Sequence, residues 1–335
     1  MRKVAVTGAS GLIGTALTAA LEKRGDRVIP VGRRPPAGGV AWDPATRRID
    51  GAALEGVDAV VHLAGERIDG RWTASKKRRI LNSRVEGTEL LVRALSGLDR
   101  PPSVVVSASA VGFYGDRGDD ELTEDSEPGT GFLAEVCERW EAAAAPTASP
   151  DIRLVLARTG IVCTPDGGAL GRMLALTRLG LGGRLGNGRQ WWPWITLEDE
   201  IRALLHLLDT PVVGPVNLVA PGICRNAEFV RDLARALRRP AVLPAPALAL
   251  RAVLGEMANG LLLASARVRP VRLEDSGFTF RSPNLTPAIA ELLSAGPQRP
   301  WLPRTPLCGP PEFQAVPPVP AGQGGASVED YQIPV

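Results

Sequence analysis

Thr7-Gly8-Ala9-Ser10-Gly11-Leu12-Ile13-Gly14 decides the fold. Three glycines at GxxGxxG spacing stand between an apolar run, Val4–Val6, and a helical pattern through Leu12, Ile13, Leu17 and Leu21. Gly8 permits a tight turn, Gly11 lets the backbone approach a pyrophosphate, and Gly14 lets the helix pack close to a sheet. The amides around Ser10, Gly11, Leu12 and Ile13, at the helix start, then hold the phosphates. A glycine trio alone is weak. Here it opens the first strand–helix unit of a chain that goes on repeating that unit, and the expected ligand is a dinucleotide.

Working outward, further apolar runs fall at 27–31, 40–42, 59–63, 103–107 and 152–157. Helical patterns over 76–95 and 133–145 lie between them, the first carrying Ile80, Val85, Leu90, Leu91 and Leu95 on one stripe. Strand and helix alternate, which predicts an α/β fold with a doubly wound parallel sheet and a smaller C-terminal substrate subdomain. Beyond about residue 165 the pattern loosens. Helices are expected over 170–181, 201–208, 228–237 and 248–263, a strand over 216–219, and a proline-broken connector over 240–246. The division that follows is a dinucleotide-binding domain over 1–165, with 196–221 returning to it, and a substrate subdomain from 166–195 and 222–295. Pro and Gly dominate 296–335, which reads as a disordered tail.

Arg33 and Arg34 follow the second strand, about 20 residues past the glycine turn, where an NAD-preferring fold carries an acid for the ribose hydroxyls. Two guanidiniums match a 2′-phosphate in charge and geometry. A pair of solvated loop arginines is the alternative. The expected cofactor is NADP(H).

Composition removes other classes. A net charge of +3 over 335 residues is too small to imply a nucleic-acid or membrane partner. Cys137, Cys163, Cys224 and Cys308 form no CxxC pair, and His62 and His206 are the only histidines. That pattern speaks for reduced thiols and against a disulfide framework or a metal site. Met1–Lys3 run straight into a strand without a signal-peptide pattern, and no apolar stretch reaches membrane-spanning length. The expectation is a soluble, cytoplasmic protein with a small-molecule substrate, and a homo-oligomer is compatible with it.

The motifs VTGASGLIG (6–14), DAVVHLAG (58–65), VVVSASAVGFYG (104–115), RTGIV (158–162) and WPWITLEDE (192–200), in that order, resemble the extended short-chain dehydrogenase/reductase superfamily. RWTASKKRRILNSR (71–84), FLAEVCERWE (132–141), NGRQWWPWI (187–195) and RVRPVRLEDSGFTF (267–280) are similar to its epimerase-like group, often labelled nucleoside-diphosphate-sugar epimerase or cell-division inhibitor. The resemblance spans about residues 1–295. It implies that Asp43 meets the adenine and that Leu63, Ala64 and Gly65 line the ribose and nicotinamide side. Ser107 and Ser109 fall at the end of the fifth strand, where the superfamily keeps its catalytic Ser or Thr. Ser109 is the better match, with Ser107 on the cofactor side. Both serines could instead satisfy backbone groups at a strand end.

The chain departs from the superfamily where chemistry matters most. A Tyr, with a Lys four residues later, normally supplies the proton and lowers its pKa. Here Phe132 and Val136 stand at those places, and no lysine follows Lys77. Tyr114, just past the serine strand, is the remaining candidate acid, with a packing or substrate-contact role as the alternative. Glu66, Arg84 and Trp192 are assigned to the substrate. Lys76-Lys77-Arg78-Arg79 reads as a solvated helix start, with Lys76 or Arg84 turned inward to an anionic substrate as the second reading. The acidic stretch Asp119, Asp120, Glu121, Glu124 and Asp125 reads as an exposed loop. Trp191, Trp192 and Trp194 either wall a pocket or pack between the two domains. Taken together the expectation is an NADP(H)-dependent oxidoreductase or epimerase-like enzyme on a small polar substrate. A non-catalytic NADP(H)-binding regulator is its rival.

Overall fold

A computed structural model describes residues 1–294. The tail expected over 296–335, with Cys308, lies outside the described residues. Val4, Ala5 and Val6 are all fully buried, so the first strand, Lys3–Thr7, is covered on both faces. Near-continuous apolar runs are what a parallel sheet with helices on each side requires. Eight strands form that sheet, in the order Gly214–Leu218, Arg153–Thr159, Val104–Ala110, Ala59–His62, Lys3–Thr7, Arg27–Gly32, Val40–Asp43 and Arg48–Ile49. Every adjacent pair is parallel except the last, where Trp42 and Asp43 face Ile49 and Arg48 in antiparallel register. The expected doubly wound α/β sheet is present.

Side chains alternate between two cores. Val4, Val6, Val61, Val106 and Val155 pack with Leu17 and Leu21 of helix Leu12–Lys23 and with Leu204 and Leu207 of helix Leu197–Asp209. Ala5, Val60, Val105 and Leu154 face the other way, onto Leu90, Leu91 and Leu95 of helix Ala74–Ser96. Chain order diverges between Lys3–Thr7 and Ala59–His62, so the topological switch point lies there, where doubly wound sheets bind ligands.

A further core joins helices Gly168–Arg178, Asn226–Leu237 and Leu285–Ser294 through Leu170, Leu174, Phe229, Leu233 and Ile289, with Trp192 and Trp194 buried among them. Asp199 ties the two regions together. Its carboxylate accepts the amides of Arg281 at 2.9 Å and Ser282 at 2.8 Å, and an ion pair with Arg202 supports it at 2.7 Å. Two expected helices are shorter than their apolar patterns. The first stops at Arg178, because Gly180 takes φ +74°, and Leu179 and Leu181 beyond it are exposed. The second breaks at Gly255, φ +64°, into Ala247–Leu254 and a wider-wound turn over Ala258–Leu263. Two-residue pairings such as Trp191–Trp192 with Cys224–Arg225 carry no sequence period and were not foreseen.

Two buried titratable groups sit at the ends of the parallel strands. Glu200 is fully buried; Oε1 accepts the Thr159 hydroxyl at 2.9 Å, Oε2 has no partner, and burial pushes its pKa up to about 8. His62 is also fully buried, and burial, helped by the nearby charge of Arg84, brings its pKa down to about 4. Their linkages have opposite signs. The raised Glu200 pKa stabilises the fold fully below its ordinary value of 4.5, and that stabilisation is lost as pH rises through about 8. The lowered His62 pKa stabilises the fold above 6.5, and that is lost as pH falls toward about 4. Between 6.5 and 8 only Glu200 acts. Raising pH across that interval should therefore cost about 2 kcal/mol through this one group. Unfolding measured at both pH values should show Glu200→Gln losing most of that decline; an equal decline in both proteins would remove Glu200 as its source.

Candidate cofactor and substrate site

The glycine turn is crowded enough to explain its composition. Gly8 has φ +67°, and a Cβ there would stand 3.0 Å from the Ala64 amide nitrogen and the Leu63 carbonyl carbon. A Cβ on Gly14 would lie 2.1 Å from the Gly8 carbonyl oxygen, so no side chain fits. Gly11 caps helix Leu12–Lys23 without any side-chain hydrogen bond. The first amides of the helix, at Leu12 and Ile13, have no intrahelical acceptor and are left to an outside one. Ser10, Gly11 and Leu12 are exposed, and Leu12 reaches the next turn of the site, 3.4 Å from where a Gly167 Cβ would be. An uncovered cradle of amides fits a pyrophosphate.

Arg33 and Arg34 follow Gly32, the last residue of the second strand; both are exposed, and neither has an ion pair among the described residues. Asp43 is half-buried and caps its own turn, accepting the Ala45 amide at 3.1 Å and the Thr46 hydroxyl at 3.0 Å. Its carboxylate therefore holds the loop it stands on.

Across the switch point, Thr7 organises the end of strand Ala59–His62. Its hydroxyl oxygen accepts the amides of Leu63 at 3.0 Å and Ala64 at 3.1 Å and lies 2.7 Å from His62 Nδ1. With both lone pairs used, the Thr7 hydroxyl must donate to Nδ1. The His62 proton is then on Nε2, 3.0 Å from the Thr88 hydroxyl oxygen on helix Ala74–Ser96. Just beyond, the same helix pins the Glu66 backbone twice. Ser83 Oγ accepts the Glu66 amide at 2.9 Å, and Arg84 Nη1 donates to the Glu66 carbonyl at 3.0 Å. The Glu66 carboxylate takes Lys76 at 2.8 Å and Arg79 at 3.5 Å, which hold its pKa below the ordinary range. Lys76 is thus an ion-paired residue, where a solvated helix start was expected.

Ser107 is buried, opposite His62 in the sheet register. Ser109 is 4% exposed and gives its proton to Glu141 Oε1 at 2.6 Å. Arg158, its register neighbour, closes on both oxygens of the same carboxylate, at 2.9 Å each. Tyr114 stands in a packed position. It is fully buried, donates to Asn217 Oδ1 at 2.7 Å and accepts from Arg158 Nη1 at 3.0 Å. Burial raises its pKa further. Its hydroxyl is engaged as donor and as acceptor inside a core. In the acidic stretch Asp119, Asp120, Glu121 and Asp125 are exposed as expected, and Glu124 alone departs: it is 4% exposed and accepts the amides of Asn217 at 3.0 Å and Arg272 at 3.3 Å.

At the two places of the missing dyad the structure has packing. Phe132 stacks edge-on to Trp72, centroids 5.1 Å apart, and Val136 is buried. Helix Ala74–Ser96 lays two cations over rings of helix Phe132–Ala144. Lys77 Nζ is 4.6 Å from the Phe132 ring centre, and Arg84 Cζ is 5.0 Å from that of Trp140. Lys77 over Phe132 escaped sequence reasoning, because the two belong to different helices and only packing brings them together. Of the tryptophans, Trp192 is buried against Phe229 and Trp194 is buried beside it, while Trp191 remains half-buried beneath the guanidinium of Arg225, 4.2 Å from its ring centre. Among the described residues no group of three His, Cys, Asp or Glu could hold a metal ion, and no helix is long and apolar enough to cross a membrane.

Sequence and structure comparisons agree with this geometry. Residues 245–292 match a domain of unknown function, DUF1731. An epimerase family protein of Mycobacterium bovis is 44% identical over 290 residues, covering 85% of this chain and 96% of its own. The crystal structure of human epimerase family protein SDR39U1 (isoform 2) with NADPH superposes with a TM-score of 0.82 at 37% identity, covering 87% of this chain and 99% of that one. A nucleoside-diphosphate sugar epimerase from Corynebacterium glutamicum gives 0.74 at 37% identity, covering 88% of this chain and 58% of that one. Residues 4–219 match the model of the NAD dependent epimerase/dehydratase family, and the chain belongs to that family.

Proposed function

We propose that the chain binds NADP(H) at the glycine turn and acts as an oxidoreductase or epimerase-like enzyme on a small polar substrate. The observation that carries the reading is the Gly8–Gly14 cradle, which no side chain can enter, with two unpaired arginines at the end of the neighbouring strand. Ser10, Gly11, Leu12 and Ile13 would hold the pyrophosphate, Arg33 and Arg34 the 2′-phosphate. Leu63, Ala64, Gly65 and Ser107 would line the rest of the cofactor's path, with Asp43 near the adenine through the loop it caps. The cofactor supplies hydride chemistry when bound. The crystallised human relative, named with NADPH, supports the choice.

The substrate would lie beside Gly65, Glu66 and Arg84, covered by the 166–195 and 222–295 segments, with 1–165 and 196–221 forming the cofactor domain. The pairing of strand Gly214–Leu218 with Arg153–Thr159 supports that division, as does the separate core of the C-terminal helices. Buried free thiols at Cys137, Cys163 and Cys224 suit a reducing, cytoplasmic setting. Trp192 would act behind the wall of the site, since it is buried. One observation favours the second reading, a non-catalytic NADP(H)-binding regulator: Ser109 and Tyr114 are both committed to the Glu141–Arg158 pair.

Binding titrations should give tighter NADPH than NADH, and replacing Arg33 and Arg34 by Ala should remove about tenfold or more of the NADPH affinity while sparing NADH. Equal affinities in the unmodified protein would sink the cofactor assignment. Tyr114→Phe leaves Asn217 and Arg158 short of a partner, so it should cost about 1–3 kcal/mol of stability in denaturant unfolding. NADPH affinity should stay unchanged in that variant. Turnover of ordinary nucleotide sugars by the unmodified protein should be slow or undetectable, and a fast rate that Tyr114→Phe abolishes would restore Tyr114 as the acid.

A further inference from the structure

Cations crowd the strand ends near Gly65, and almost all have a carboxylate. Lys76 and Arg79 hold Glu66, Lys77 holds Glu256 at 2.9 Å, Arg172 holds Asp69, and Arg158 holds Glu141. Arg84 has none within ion-pair distance among the described residues. The one carboxylate whose field reaches it, Glu66, is already committed to Lys76 and Arg79. Its Nη1 donates to the carbonyls of Glu66 and Ile80, at 3.0 and 3.1 Å, while Nη2 and Nε have no acceptor. The guanidinium lies against the bare face of Gly65, where a Cβ would stand 3.2 Å from Nη2. Residue 65 is exposed, and Ala64 before it touches Gly8 of the cofactor turn.

Pinning the Glu66 carbonyl needs one N–H and no charge, and Ser83 does the other half of that task with a hydroxyl. The Trp140 ring and two carbonyls meet part of the half-buried guanidinium's charge, and an anion from outside would complete it. Burial lowers its pKa, yet an arginine stays protonated at any physiological pH. Arg33 and Arg34 lie toward strand Arg27–Gly32, on the other side of the first strand. Arg84 lies over Trp140, about one helical turn from Cys137, whose sulfur is 3.7 Å from a would-be Gly112 Cβ just past the end of strand Val104–Ala110. We propose that the free edge of Arg84 is a receptor for an anionic group of the substrate, a carboxylate or a phosphate. The assignment rests on the cofactor reading above and deepens it: the substrate class is a small anion.

The test uses the full chain loaded with NADPH and titrated calorimetrically with oxalate and with inorganic phosphate. At least one should bind, and Arg84→Met should weaken it about tenfold or more, with Arg84→Lys falling between. NADPH affinity should change by less than about threefold. Ser83→Ala loosens the same loop without touching charge and should leave anion affinity within about threefold. Binding of neither anion, or equal binding by Arg84→Met, would overturn the proposal and leave Arg84 a loop pin. A loss of anion affinity in Ser83→Ala as large as in Arg84→Met would do the same. A tenfold loss of NADPH affinity in Arg84→Met would assign the guanidinium to a cofactor phosphate instead. Failure of the unmodified protein to load NADPH, seen before any anion is added, would overturn the cofactor reading and this placement with it.

Discussion

One close approach of backbone to backbone is the contact on which the site depends. The turn after the first strand touches the end of strand Ala59–His62 so tightly that a methyl group on Gly8 would meet backbone at 3.0 Å. That contact is held from below by the Thr7 hydroxyl, which uses both lone pairs on Leu63 and Ala64 and its proton on His62. Such a hydroxyl is satisfied only if Nδ1 is free to accept. His62 must therefore be neutral, and burial keeps it so at neutral pH. The imidazole passes the constraint to Thr88 on helix Ala74–Ser96. Cofactor turn, strand end and helix are one hydrogen-bonded unit, and that helix carries Lys77, Ser83 and Arg84 to the site.

Where the superfamily resemblance led one to look for a proton relay, the chain has built a closed, charge-balanced interior. Arg158 and Glu141 neutralise one another with two 2.9 Å contacts. Their spare capacity is taken up by Ser109 and Tyr114, the two groups that might otherwise have moved a proton. Phe132 and Val136 then fit because nothing ionisable is required beside them. The positive charge at this end of the sheet comes from the facing helix, through Lys77 and Arg84 lying over Phe132 and Trp140.

The part of this that the sequence makes legible is the part fixed by short-range geometry. The glycine spacing is readable because each glycine answers to a contact within one strand–turn–helix unit. The buried strands are readable because both faces of a parallel sheet are apolar. Helices Leu12–Lys23 and Ala74–Ser96 carry their stripes plainly. Gly180 and Gly255 show the limit: each ends a helix inside an apolar pattern, and only its φ, not the period, marks the stop. The hydrogen bonding of Tyr114 is not legible, because its position beside the serine strand is local, whereas Asn217, its acceptor, is 103 residues away. Glu124 was misjudged for the same reason, since an acidic run looks solvated until Asn217 and Arg272 are folded onto it. The capping of Pro44–Thr46 by Asp43 is, by contrast, readable as an Asx-type turn.

The two functional readings make different demands on these residues, and the difference can be weighed. A regulator that senses NADP(H) needs the cradle, the two exposed arginines and the Thr7–His62–Thr88 chain, all of which serve the turn. It has no use for a guanidinium set beside Gly65 without a carboxylate. Most of the other cations in that neighbourhood have one. The charge of Arg84 is met by the Trp140 ring and two carbonyls and by no carboxylate, which suits a ligand that brings its own negative charge. An arginine cannot give up its proton near neutral pH, which suits it to hold and polarise an anionic or electron-rich oxygen and not to protonate one. On the proposed reading, a site whose cation is Arg84, with Ser109 and Tyr114 held by Glu141 and Arg158, would leave protonation to water or to the substrate itself.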